Sequence, residues 1–120
     1  MAKTPLRRML ESSAWARALS PPDLDRVESE TLVRSCPAGG LVVRKGDPVE
    51  HWIGVIDGLA KMANVSADGK PMSFTGLPAG GWFGEGSLLK DEPRRYDIVA
   101  LRESQIAFMP RATFARLLDT

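Results

Sequence analysis

The stretch from Gly80 to Ala100, GGWFGEGSLLKDEPRRYDIVA, gathers the residues of this sequence that could hold a charged small molecule. Gly84, Glu85, Gly86 and Ser87 stand at an expected strand-to-helix transition, where glycine lets the backbone turn tightly and a ligand come close. The amides at the start of the short helix that follows, through Leu88 and Leu89, lack intrahelical partners. Such a helix start is a ready anion site. Ser87 can add a hydroxyl donor. Arg94 and Arg95 come next, and a guanidinium matches two phosphate oxygens with two parallel hydrogen bonds. Glu85 is acceptor-only when ionised, so it suits a sugar hydroxyl and not a phosphate. Together these residues spell a pocket for phosphate and ribose. On residue types alone, a glycine-rich turn beside a solvated arginine pair is the other reading.

Other chemistries find too few residues. His51 is the one histidine and Cys36 the one cysteine. An intrachain disulfide and a four-thiolate iron–sulfur cluster are excluded. A zinc site would need carboxylates to complete it. A metal-dependent enzyme on a double-sheet fold, such as a cupin, needs clustered histidines. A Ser–His–Asp or Cys–His nucleophile would have His51 as its only base. The sequence therefore reads as a non-enzyme with no catalytic and no metal residues. Cys36 is expected as a small half-buried residue. His51 is expected at a strand edge, with no spacing typical of haem ligation. Trp15, Trp52 and Trp82 are expected in the core, Trp82 with a possible second role as a pocket wall. Arg7 and Arg8 read as a solvated helix face.

The elements that must position the cassette follow from the pattern. Thr4 can cap a helix with Pro5 at its first position. Leu6, Met9, Leu10, Ser13, Ala14 and Arg17 continue at helical spacing. Ser20, Pro21, Pro22 and Asp23 form a capping-box-like start to a second helix, whose apolar face is Leu24 and Val27. After Leu32, short aliphatic runs are broken by glycine every few residues. Strands are expected over 41–43, 52–56, 59–65, 72–77, 97–101 and 105–109, about eight in all. Ala67-Asp68-Gly69-Lys70 reads as a hairpin turn. Pro110 opens a last helix with Phe114, Leu117 and Leu118 on one face. The expected fold class is mainly β, a barrel or jelly-roll-like double sheet with helices at both ends. The expected division is a helical segment over 1–31, the β unit over 32–109, and the start of a C-terminal helix over 110–120.

Composition agrees with one globular domain. The chain has 120 residues, 43% hydrophobic and 26% charged. The net charge of +1 is low for a domain that grips DNA through its own surface. No apolar run approaches membrane-spanning length, and the N-terminus lacks the apolar centre of a signal peptide. A cytoplasmic protein without membrane partners is the expectation.

Phe83-Gly84-Glu85, then Leu88-Leu89, then Pro93-Arg94, then Ile98 and Ala100, resemble the phosphate-binding cassette of the cyclic nucleotide-binding family. Upstream, Pro37-Ala38-Gly39 and Arg44-Lys45-Gly46-Asp47 resemble its glycine-punctuated strands, as does Ile53 to Gly58. Downstream, Ala107 to Pro110 followed by Phe114 resembles its exit into a long helix. The resemblance runs over about residues 20 to 118. It implies a double-stranded β-helix, or jelly-roll-like β-roll, around a small cyclic nucleotide, with no covalent cofactor. It implies that Glu85 takes the ribose hydroxyl, and that Arg94 and the amides near Gly86 and Ser87 hold the cyclic phosphate. It also implies the sensor part of a Crp–Fnr-type transcription regulator. There the C-terminal helix forms a homodimer and a separate helix-turn-helix reads DNA.

The sequence departs from the family pattern next to Arg94. Arg95 and Tyr96 stand where small residues are usual, followed by Asp97; Gly81 and Gly86 replace other common residues. A tyrosine there could block the pocket or stack on a base. Asp97 could repel a phosphate or accept from a purine amine. Ligand-binding residues are thus expected among Gly84, Glu85, Gly86, Ser87, Arg94, Arg95 and Tyr96. The open alternatives are cyclic AMP or cyclic GMP, cyclic di-GMP held by both arginines, and a fold that senses something else or only mediates contacts. The last alternative predicts an apolar surface patch at Phe114, Leu117 and Leu118.

Overall fold

Thr4 does cap the first helix. In the computed structural model, which describes residues 3–65 and 71–118, its hydroxyl accepts the Arg7 amide at 3.0 Å and Pro5 begins α1 (Pro5–Ser12). Leu6, Met9 and Leu10 bury one face. The helix does not run on to Arg17. Ser12 and Ser13 both donate their hydroxyls to Met9 O, at 2.8 and 3.0 Å, and such side chains compete with the helical ladder. Ser13 turns extended, and the chain tightens into a 3-10 turn over Ala14–Ala18. Ser20 then caps α2 (Pro21–Glu30) by accepting the Asp23 amide. Arg8 is exposed, but Arg7 is not the solvated residue expected. Its guanidinium is drawn between α1 and α2 by Glu11, Asp25 and Glu28.

The strands are β1 (Leu32–Cys36), β2 (Leu41–Val43), β3 (His51–Asp57), β4 (Leu59–Val65), β5 (Pro71–Pro78), β6 (Trp82–Phe83), β7 (Asp97–Ala100) and β8 (Ser104–Pro110). They form two antiparallel sheets, β1-β8-β3-β6 and β2-β7-β4-β5. Four of the pairings nest: β4 with β5, β3 with β6, β2 with β7 and β1 with β8. This is a jelly-roll-like fold, mainly β as expected. Two strands, β1 and β6, were not individually legible. The first has an exposed pattern, and the second is two residues long. The expected hairpin turn at Ala67 to Lys70 lies outside the described residues. α3 (Glu85–Lys90) follows β6, and α4 (Arg111–Leu118) follows β8.

Alternation along β3 splits the core in two. Ile53 and Val55 enter the space between the sheets with Leu77, Ile98 and Ile106. Trp52 points the other way, to Leu10, Leu24, Val27, Met109 and Phe114 beneath the helices. Gly54 shares that outer face. A Cβ there would stand 2.8 Å from Met9 Cε and from Trp82 Cε3, so only glycine lets the indole and α1 close over the sheet. Phe114 is buried and Leu118 is exposed. The three apolar residues of α4 therefore do not form one surface patch.

Candidate functional site

β6 and α3 meet at Gly84, whose φ of 91° lies in the region that favours glycine. A second constraint is steric. A Cβ on Gly84 would lie 2.5 Å from Arg94 Nη1 and 4.0 Å from Tyr96 Oη. The cassette backbone thus passes directly against the arginine guanidinium. In front of it opens a cleft of about 330 Å³, lined by Met62, Trp82, Phe83, Gly84, Glu85, Lys90, Glu92, Arg95 and Tyr96. That is enough room for a small ligand.

Arg94 stands behind this cleft. Its backbone is locked to the preceding loop: Arg94 N donates to Asp47 O and Gly46 N donates to Arg94 O, each at 2.8 Å. Its Nη2 donates to His51 O at 2.8 Å. The residue is 5% exposed, and Nη1 is buried without a hydrogen-bond partner among the described residues. On its far side Arg94 borders a smaller cavity of about 110 Å³ with Asp47, Glu50, His51 and Phe108. Burial pulls its pKa below the usual arginine value, against the opposing influence of Tyr96 and Asp47. The group nevertheless stays a cation, as guanidinium does in proteins.

The neighbours of Arg94 take different roles. Tyr96 is half-buried, packs against the inner core and lines the cleft. Burial raises its pKa; Arg94 works against that rise and Glu85 adds to it. Its phenol therefore feels both the cationic and the anionic group of the site. Arg95 is exposed and turned along the surface to Glu92, 2.6 Å from Nη2. Asp97 is not among the residues that line the cleft. Its Oδ1 accepts the Lys45 amide at 2.7 Å, fixing the same loop that grips Arg94.

Glu85 begins α3 and is exposed, its Oε2 accepting the Trp52 indole N–H at 3.3 Å. Gly86 and Ser87 continue the helix, and the hydroxyl of Ser87 lies outside the described atoms. The three tryptophans converge. Trp52 and Trp82 stack at 4.8 Å, and Trp15 meets both at about 6 Å. Trp82 is thus both core and cleft wall. His51 is half-buried on the Phe108 ring, and burial lowers its pKa, with Glu50 opposing. Cys36 is half-buried against the inner core.

Of the expected site residues, Gly84, Glu85, Arg95 and Tyr96 share the cleft, and Arg94 lies just behind it. The sequence reading missed Met62, Lys90, Glu92 and the His51 carbonyl. Met62 reaches the cleft only through sheet pairing, for which the sequence carries no local signal. Among the described residues no group of histidines, cysteines and carboxylates could hold a metal ion. No helix there is long and apolar enough to cross a membrane.

Comparison with known proteins bears on this geometry. The family profile of the cyclic nucleotide-binding domain matches residues 33–120. A cAMP-dependent protein kinase regulatory subunit of Blastocladiella emersonii is 34% identical over 80 residues, which cover 67% of this chain and 20% of that protein. That of Aspergillus niger is 29% identical over 109 residues, covering 91% and 26%. The chain thus spans about a fifth to a quarter of these relatives' length. The sensor domain of the transcriptional regulator DNR from Pseudomonas aeruginosa superposes with a TM-score of 0.85 at 21% identity, covering 97% of this chain and 81% of that one. The regulatory domain of Toxoplasma gondii PKA, crystallised with cAMP, gives 0.83 at 23% identity, covering 93% and 43%. The two superpositions speak for the fold.

Proposed function

Since the chain belongs to the cyclic nucleotide-binding domain family, we propose that its cleft takes a cyclic nucleotide, cyclic AMP first among them, as the sensor of a bacterial Crp–Fnr-like transcription regulator. The observation that carries the reading is the orphaned Nη1 of Arg94. A buried donor without an acceptor costs about 1–3 kcal/mol, more when charged. An anion reaching Nη1 recovers that cost. A cyclic phosphate seated at Gly84, on the amides of Gly86 and Ser87, would be such an anion. Glu85 would take the ribose hydroxyl, and Trp82 would flank the base.

Other features support parts of this reading. The role is regulatory, not catalytic. Arg95 is spent on Glu92 at the surface, which speaks against a two-phosphate ligand such as cyclic di-GMP held by both arginines. The sensor domain of a transcriptional regulator superposes on 97% of this chain, which agrees with the regulator reading. In such a regulator α4 would contribute to a homodimer, and a helix-turn-helix domain would read DNA in the cytoplasm.

One observation favours a second reading, an interaction domain that binds no nucleotide: the Tyr96 side chain lines the cleft beside Gly84, where a small residue is usual in the family. Isothermal titration calorimetry with cyclic AMP, cyclic GMP and cyclic di-GMP separates the two. The expected result is binding of one cyclic mononucleotide, abolished in Arg94→Ala. No heat with any of them, from folded protein, would favour the second reading.

A further inference from the structure

Trp52 leaves β3 on the face opposite the roll interior, and there its ring is fixed on several sides. It stacks on Trp82 with centroids 4.8 Å apart and planes 30° apart. Phe114 of α4 meets it edge-on at 4.9 Å, and Trp15 lies at 5.9 Å. The residue is 9% exposed. A ring packed this way has one direction for its N–H, and that N–H reaches Glu85 Oε2 at 3.3 Å. Glu85 by contrast is exposed, and this is its one side-chain hydrogen bond among the described residues. A glutamate free to rotate must give up rotamer freedom when a ligand fixes it. One already tethered through one oxygen gives up less, and its second oxygen remains an acceptor.

We propose that Trp52 is the positioning residue of Glu85: the indole N–H holds Oε2 and leaves Oε1 to receive a sugar hydroxyl, so the site discriminates ribose from deoxyribose ligands. The proposal rests on the cyclic-nucleotide reading of the cleft and adds to it the residue that sets sugar selectivity. Tryptophan at this place is more than core filling. Phenylalanine would keep an aromatic ring against Trp82 and Phe114, lose the donor and shed part of the indole's bulk, a packing loss that would weaken both ligands alike.

The test compares cyclic AMP with 2′-deoxy cyclic AMP on the wild-type chain and on Trp52→Phe. A charge-assisted hydrogen bond to the hydroxyl is worth a preference of roughly tenfold for the ribose ligand in wild type. In Trp52→Phe that preference should fall to about two- or threefold, while affinity for the deoxy ligand stays within about twofold of wild type. A purely structural role would weaken both ligands alike. Folded Trp52→Phe with the full preference, or with equal losses for both ligands, overturns the proposal and leaves the reading of the cleft standing. Absence of binding of either nucleotide to the wild type overturns that reading and the proposal with it. A second measurement needs no change at Trp52. In the 15N–1H spectrum of the wild type, the Trp52 indole resonance should move with cyclic AMP and clearly less with the deoxy ligand. Equal movement with both counts against the proposal.

Discussion

Tyr96 and Arg94 are two residues apart on one short segment, yet they meet solvent differently. The guanidinium is sealed behind Gly84, while the phenol lines the cleft beside that glycine. A ligand phosphate on its way to Nη1 has to move that ring or share space with it. Tyr96→Ala, which restores the small residue usual in the family, is therefore expected to raise cyclic AMP affinity by roughly tenfold, the equivalent of about 1.4 kcal/mol of ring displacement. Titration calorimetry of the variant against wild type checks this; weaker binding would make the phenol a ligand contact and not an obstacle. The placing of Arg94 and Glu85 around one glycine turn was legible in the sequence because it depends on a local motif. The direction of Tyr96 was not, since it follows from packing between the sheets. The bond from Trp52 to Glu85 was not legible either. It joins residues from β3 and α3 that only the folded roll brings together.

At the scale of elements, the helices are tied to one another by charge as well as by the apolar layer beneath them. Arg7 links α1 to Asp25 and Glu28 of α2. Glu30 at the end of α2 holds Arg116 of α4 at 2.6 Å and accepts the buried Thr113 hydroxyl at 2.9 Å. Arg111, the first residue of α4, reaches back to Asp91 at 2.9 Å, to Leu88 O at 3.4 Å and to Val49 O. α4 thus touches both the N-terminal helices and the end of the cassette helix. Glu30→Gln keeps an acceptor for Thr113 and removes the ion pairs with Arg116 and, at 3.3 Å, with Arg26. The expected cost is about 0.5–1 kcal/mol, as for other solvent-screened pairs, or a fall in Tm of about 2–5 °C. The difference should shrink in high salt, since screening weakens the wild-type pairs; thermal melts at two salt concentrations measure it. Helix starts were legible through Thr4 and Ser20, whose caps are local. The break at Ser13 was not, because two serine hydroxyls and a backbone carbonyl decide it against an otherwise continuous apolar period.

For the whole molecule, pH acts through groups whose pKa the fold moves. Burial holds His51 below its ordinary value of 6.5. A histidine depressed in the folded state binds fewer protons there than in the unfolded chain. Its stabilising contribution is complete above pH 6.5 and drains away as pH falls toward the lower folded value. Glu30, lowered first by its hydrogen bond to Arg116 and then by Thr113, behaves likewise further down. Its contribution is complete above about pH 4.5 and is lost as pH falls through its folded value. Tm measured from pH 8 to 4 should begin to fall below pH 6.5 in the wild type, and His51→Gln should flatten that first decline while leaving the later one. Equal slopes in both proteins would remove His51 as the cause.

The nested pairing of the strands also sets a clock. β4 and β5 are neighbours in the chain, whereas β1 finds β8 only after almost the whole roll has been made. Closing short loops costs less entropy than closing long ones, so the hairpin at the centre of the sequence is favoured first and the outer pairs follow it. On a ribosome adding about 5–20 residues each second, β1 emerges several seconds before its partner exists. Through that interval Leu32 and Val33, which remain exposed even in the finished fold, sit on a strand with both edges open, a template for pairing with another chain. Yield of this protein in a cell would accordingly depend on how quickly synthesis delivers its last strand.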